Sequence, residues 1–93
     1  MARFEIEVTR SAEKRLRALP RDDQKRLAKA ILDLGDDPRP RGARKLFGYE
    51  DVFRIRVGSY RILYSLEPGR LVILILKIGH RSDVYRSSMR RNT

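Results

Sequence analysis

The chain has 93 residues, enough for one domain with a modest core. It carries 22 Lys and Arg against 12 Asp and Glu, a formal charge of +10, and no cysteine. Without cysteine there is no disulfide framework, thiolate zinc site or thiol nucleophile, and a positive field of that density suits a polyanion such as RNA, DNA, an acidic protein or an anionic surface.

Phe4 to Val8 alternates apolar and polar residues, the pattern of a half-buried strand. Thr9 or Ser11 then offers an N-cap for a helix with Leu16 and Leu19 on one face, and Pro20 should stop it. Asp22 or Asp23 can cap a second helix whose apolar stripe is Leu27, Ala28, Ile31, Leu32 and Leu34. Gly35 and Asp36-Asp37-Pro38 mark its end. The next run contains Arg39, Arg41, Arg44 and Lys45 between prolines and a glycine. A single run of this kind is by default a solvated connector, but this one leads straight into a basic hairpin. It is therefore assigned to binding a polyanion. Lys45-Leu46-Phe47-Gly48 is expected to begin a short strand.

Phe53 to Tyr64 reads as two strands joined at Gly58-Ser59. Alternation puts Phe53, Ile55 and Val57 on one face and Arg54 and Arg56 on the other. On the return strand Arg61 and Leu63 oppose Tyr60, Ile62 and Tyr64, so both tyrosines are expected in the core. Glu67-Pro68-Gly69-Arg70 is a turn. Leu71 to Ile78 is apolar on both faces and predicts a central strand, ending at Gly79-His80-Arg81. Ser87 to Thr93 is left as a short helix or a tail.

This order predicts a single α+β domain over residues 1–93. An N-terminal strand and a helical hairpin precede an antiparallel meander. The helices cover the Phe53 face and leave the arginine face open. The longest apolar stretch, Leu71 to Leu76, is too short to cross a bilayer, and no long apolar run opens the chain. A cytoplasmic protein with no membrane partner is expected.

The chain has no phosphate-binding glycine loop, HExxH, GxSxG or carboxylate array for magnesium, so no metal or cofactor is expected. What remains for chemistry is Arg54, Arg56, Arg61, His80, Arg81 and Tyr85. RNA brings its own nucleophile, the 2′-hydroxyl. A nuclease working without metal must deprotonate it, neutralise the pentacoordinate phosphate and protonate the leaving 5′-oxygen. Guanidiniums suit the second task, because they stay charged and grip two phosphate oxygens at once. Histidine suits proton transfer, and tyrosine can stack on a base. A lone histidine is usually structural; the weight lies in the combination of His80-Arg81 with an arginine hairpin.

These residues resemble the RelE/ParE superfamily of toxins from type II toxin–antitoxin modules. The resemblance rests on Ser11-Ala12 with Leu19-Pro20, Asp37-Pro38, Lys45 to Gly48, Phe53 to Tyr64, and Ile78 to Tyr85. It implies an antiparallel sheet flanked by helices and a RelB-like antitoxin that neutralises the toxin. Operator DNA would be met only through that antitoxin. Two activities divide the superfamily. RelE-like members cut mRNA in the ribosomal A site by 2′-hydroxyl attack, whereas ParE-like members poison DNA gyrase. The positions matching the RelE catalytic set are Arg54, Arg56, Arg61, Arg81 and Tyr85, which implies ribosome-dependent mRNA cleavage, with Arg39, Arg41, Arg44 and Lys45 expected to bind RNA or the ribosome. A gyrase inhibitor and a non-catalytic RNA- or antitoxin-binding module are the alternatives. Arg54 and Arg56 stand where RelE has lysines, and arginine scarcely deprotonates, so His80 is the alternative base.

Overall fold

The structure, a computed structural model, describes residues 3–67 and 69–80. Its elements are β1 (Glu5–Val8), α1 (Arg10–Arg17), α2 (Arg21–Leu34), β2 (Arg44–Lys45), β3 (Val52–Val57), β4 (Tyr60–Glu67) and β5 (Val72–His80). The strands form one sheet in the order β1-β5-β4-β3-β2. β2 to β5 make the expected antiparallel meander, and β1 lies parallel to β5 with Ile6 beside Ile73. The fold is α+β. The expected C-terminal helix or tail lies outside the described residues.

The helices cover the sheet face that carries Phe53 and Ile55. Ala12 of α1 and Leu27, Ile31 and Leu34 of α2 join Phe53, Ile55, Ile62, Tyr64, Leu66, Ile73, Ile75 and Ile78 in one buried cluster. Full burial of a side chain of this kind contributes about 1.5–3 kcal/mol. Leu32, expected in the same stripe, is 57% exposed. It follows Ile31 by one residue, which on a helix turns it about 100° away from the core.

The helix ends show how local chemistry was redistributed. Thr9 is the N-cap of α1, and its hydroxyl oxygen accepts from the Ala12 N–H at 3.2 Å. For α2 the expected aspartate cap is absent. Pro20 is the N-cap, with no side-chain hydrogen bond, and Asp22 and Asp23 fall inside the first turn. There their charge still meets the positive end of the helix dipole. Gln24 donates to the carbonyls of Arg17 and Leu19 at 3.1 and 2.8 Å, which satisfies acceptors left over where α1 ends. Gly35 caps α2 with an ordinary right-handed φ of −61°. It is buried, and a Cβ there would meet the Phe4 carbonyl oxygen at 3.1 Å, so close approach rather than backbone freedom calls for glycine.

The hairpin turns at Gly58-Ser59 as expected, pairing Val57 with Tyr60. Gly58 has φ +61° and Ser59 does not share the positive sign, the pattern of a type II′ turn. β2 lies earlier than expected, at Arg44–Lys45, and residues 46–49 turn instead, with the Tyr49 N–H donating to the Leu46 carbonyl at 3.2 Å.

β5 holds a feature that alternation does not anticipate. Leu63 pairs with Lys77 while Tyr64 pairs with Ile75, so Leu76 is an extra residue in the strand. Counting regularly from the buried Ile73 and Ile75 would send Lys77 into the core and His80 to the open face. The bulge reverses the parity. Ile78 is buried opposite Ile62, Lys77 takes the open face, and His80 takes the helix-covered face. The Thr9 hydroxyl donates to the Leu76 carbonyl at 3.1 Å, so the α1 cap also holds the bulge.

Candidate functional site

On the open face, strand register lines up the cations in rows. Arg44 of β2 lies beside Arg54 of β3, which pairs with Leu63 of β4, and Leu63 pairs with Lys77 of β5. In the next row Arg56 pairs with Arg61, and Arg61 pairs with Gly79. Arg56 is exposed, and Arg54 and Arg61 are half-buried. Arg56 and Arg61 thus stand directly opposite one another, two guanidiniums at close cross-strand spacing.

β2 pairs only as far as Arg54, so the edge of β3 at Ile55–Val57 is uncovered. A cleft of about 460 Å³ lies there, walled by that edge, by Ala30 and Asp33 of α2, and by the Pro40–Gly42 segment. Arg41, Arg44, Arg54 and Arg56 all line it. A small notch of about 80 Å³ at the hairpin tip is lined by Arg56, Gly58, Ser59, Tyr60 and Arg61, so Arg56 belongs to both. A third depression, about 390 Å³, is mostly apolar: Leu46, Tyr49, Val52, Leu63 and Leu76 surround Lys77.

Four ion pairs form among the described residues. They join Arg3 to Asp36, Arg17 to Glu13, Lys29 to Asp33 and Arg70 to Glu67, at 2.8–3.2 Å. Among the described residues Arg41, Arg44, Arg54 and Arg56 have no carboxylate partner. Asp33, the carboxylate in the cleft wall, is held by Lys29 at 3.2 Å. No three His, Asp or Glu side chains cluster as metal ligands among the described residues.

The structure brings Arg54, Arg56 and Arg61 together on one face, as expected, and separates His80 from them. Tyr60 pairs with His80, and their rings meet edge to face at 5.8 Å on the helix side. The Tyr60 hydroxyl donates to the Asp23 carboxylate at 2.9 Å, which, with some burial, raises its pKa above the ordinary 10. Arg81 and Tyr85 lie outside the described residues. The basic run before β2 is also divided. Arg41 and Arg44 enter the cleft, whereas Arg39 lies over the Phe53 ring at 5.8 Å and Lys45 pairs with Phe53.

Two contributors are not legible in the sequence. Lys77 reaches the open face only because of the bulge. Tyr49, 58% exposed, borders the apolar depression beside it, next to a fully exposed Phe47. The spacing of Tyr49 from the hairpin marks it as a loop aromatic and nothing more.

Known proteins agree with this architecture. RelG toxin of Mycobacterium tuberculosis is 31% identical over 91 aligned positions, covering 89% of this chain and 97% of that protein. The archaeal RelE–RelB complex from Pyrococcus horikoshii matches with a TM-score of 0.76 at 31% identity, over 84% of this chain and 94% of the matched chain. The RelBE2 toxin–antitoxin complex of Mycobacterium tuberculosis matches at 0.77 with 26% identity, over 88% and 95%. Residues 6–85 match the family described as ParE toxin of type II toxin–antitoxin systems. A sheet with one covered face and one guanidinium face, in a chain matched over nearly its whole length, belongs to a toxin of the RelE/ParE superfamily, within the ParE toxin family of type II toxin–antitoxin systems.

Proposed function

We propose that this toxin is a ribosome-dependent endoribonuclease that cuts mRNA in the A site without a metal ion. The observation that carries this reading is the set of guanidiniums, Arg54, Arg56 and Arg61, in register on an open sheet face. The ribose 2′-oxygen attacks the adjacent phosphorus and loses its proton. The bond to the 5′-oxygen breaks, and that oxygen takes up a proton. The products are a 2′,3′-cyclic phosphate and a 5′-hydroxyl. Arg61 and Arg56 face the phosphate and hold the charge that builds on it. Arg81 aids the leaving oxygen and Tyr85 orients the nucleotide, roles carried over from the resemblance. His80 faces the helices, so proton abstraction is not assigned to it.

The partner is a RelB-like antitoxin, supported by the two RelB-bound relatives and by the open cationic face, which complements an acidic or amphipathic inhibitor. The site of action is cytoplasmic; no helix among the described residues is long and apolar enough to cross a membrane. A second reading, inhibition of DNA gyrase, is favoured by the ParE description of the matched family.

Primer extension on programmed ribosomes, run beside a gyrase supercoiling assay, separates the two. A-site ends with Arg61→Ala slowed about 10²–10³-fold at saturating ribosomes support cleavage. Intact mRNA together with inhibited supercoiling supports the gyrase reading.

A further inference from the structure

We propose that the cleft between α2, the Pro40–Ala43 turn and the uncovered edge of β3 is a second phosphate subsite, in which Arg41 and Arg44 bind the RNA backbone flanking the scissile bond. The proposal rests on the reading of this toxin as an RNA-cutting enzyme, and it gives these two arginines a role within the substrate cleft rather than in general docking.

The loop that carries Arg41 is built into the fold. Gly42 has φ +94°, and the Ala43 N–H donates to the Pro40 carbonyl at 3.0 Å, the signature of a type II turn with Arg41 at its corner. Upstream, the buried Tyr64 hydroxyl donates to the Pro38 carbonyl at 2.7 Å. The Asp37 carboxylate accepts from the Arg39 N–H at 3.3 Å, and the Arg39 guanidinium lies over Phe53. A solvated connector would need none of these anchors. Here they fix one end of the basic run against the core and aim the next arginines into the cleft.

Charge supplies the second step. Four guanidiniums share about 460 Å³, within the size range of sites for nucleotide-sized ligands. Among the described residues none has a carboxylate partner. Their mutual repulsion weakens the free fold, and a phosphodiester, held by forked N–H pairs, relieves it.

Continuity supplies the third. Arg61 on β4, Arg56 and Arg54 on β3 and Arg44 on β2 step across adjacent strands, about 4.8 Å per strand. Arg56 lines both the notch with Arg61 and the cleft with Arg41. A strand with its scissile phosphate at Arg61 therefore continues past Arg56 into the cleft. An acidic peptide is the less favoured occupant, because the apolar depression that would seat its side chains, around Leu63 and Leu76, shares no lining residue with the cleft.

The test uses the full-length toxin and a short fluorescein-labelled 2′-O-methyl RNA, which has no nucleophile and cannot be cut. Anisotropy titrations across a range of salt compare wild type, Arg41→Gln/Arg44→Gln, and Arg70→Gln as a control on a distant turn. The double variant should bind about tenfold more weakly at low salt, with the log–log salt slope shallower by about 0.7 per lost phosphate contact. Arg70→Gln should match wild type. Pyrophosphate should raise the thermal midpoint of wild type and raise that of the double variant less, because only Arg54 and Arg56 remain in the cleft. If the double variant keeps wild-type RNA affinity and slope while wild type cuts mRNA on ribosomes, the subsite is refuted and the enzyme reading stands. If RNA affinity depends on Arg41 and Arg44 but no mRNA is cut, the subsite stands and the enzyme reading falls. If a Glu-rich peptide depends on the two arginines and RNA does not, the cleft is a protein-binding site and the proposal is refuted.

Discussion

Replacing Tyr64 by Phe removes one oxygen from the centre of the fold and keeps the ring. The side chain is fully buried, stacks on Phe53 at 5.8 Å and donates its hydroxyl to the Pro38 carbonyl at 2.7 Å. Without the donor, that carbonyl loses its partner under the protein surface, at a cost of about 1–3 kcal/mol. The void is smaller than a methyl group, so the cavity contribution is minor. For a domain of this size the thermal midpoint should fall by roughly 5–15 °C. The same hydroxyl has an alkaline signature. Burial pushes its pKa up to about 12, with the Asp37 charge adding to the shift and Arg39 opposing it. Below the ordinary tyrosine pKa the phenol is neutral in both folded and unfolded chains. Between about 10 and 12 the unfolded chain binds fewer protons than the folded one, so stability falls as pH rises, by about 2–3 kcal/mol across the window. The Phe variant lacks this loss, so its deficit against wild type should shrink as pH climbs. Urea melts near neutral pH and at about pH 11 measure both effects. An equal deficit at the two pH values would refute a neutral, buried phenol. No deficit near neutrality would refute the Pro38 anchor, and with it the fixed loop that aims Arg41.

Thr9→Val removes both the α1 cap and the bond to the bulge carbonyl, and should lower stability by about 1–3 kcal/mol in urea melts; an unchanged midpoint would mean that the bulge holds without it. Gly58→Ala places a Cβ at positive φ, 3.0 Å from the Arg26 Nη1, and should destabilise by about 1–2 kcal/mol, chiefly through the backbone because the Arg26 end can shift. His80→Gln should leave single-turnover cleavage and its pH profile intact; loss of the profile's acidic limb would return His80 to the active site. Arg61→Ala should lose rate at saturating ribosomes while keeping most of the salt dependence of binding, since the other guanidiniums remain.

The two-faced hairpin of the candidate site was readable in the chain because it depends on local periodicity. The apolar Phe53, Ile55 and Val57 between Arg54 and Arg56, with glycine at the reversal, specify a two-faced hairpin whatever surrounds it. The stripe Leu27, Ile31 and Leu34 likewise dictates which side of α2 is buried. Two such elements with apolar faces must pack together, so the open arginine face follows from the pattern alone.

Tertiary structure decided what period-two counting cannot carry. The Leu76 bulge depends on register with β4 and on a hydroxyl from Thr9, 67 residues away in the chain. It moves Lys77 onto the guanidinium face and His80 off it. The basic run before β2 looks uniform in composition, yet Phe53 and Tyr64 of the core hold Arg39 and Pro38 and thereby split it. The place of β1, parallel beside β5, is likewise a matter of which backbone edge was left to pair. Local pattern determined the faces of each element, because side-chain direction repeats with the backbone. Long-range hydrogen bonds, from Tyr64 to Pro38 and from Thr9 to Leu76, determined which cations meet in the cleft and on the open face, because they tie together segments that local periodicity does not relate.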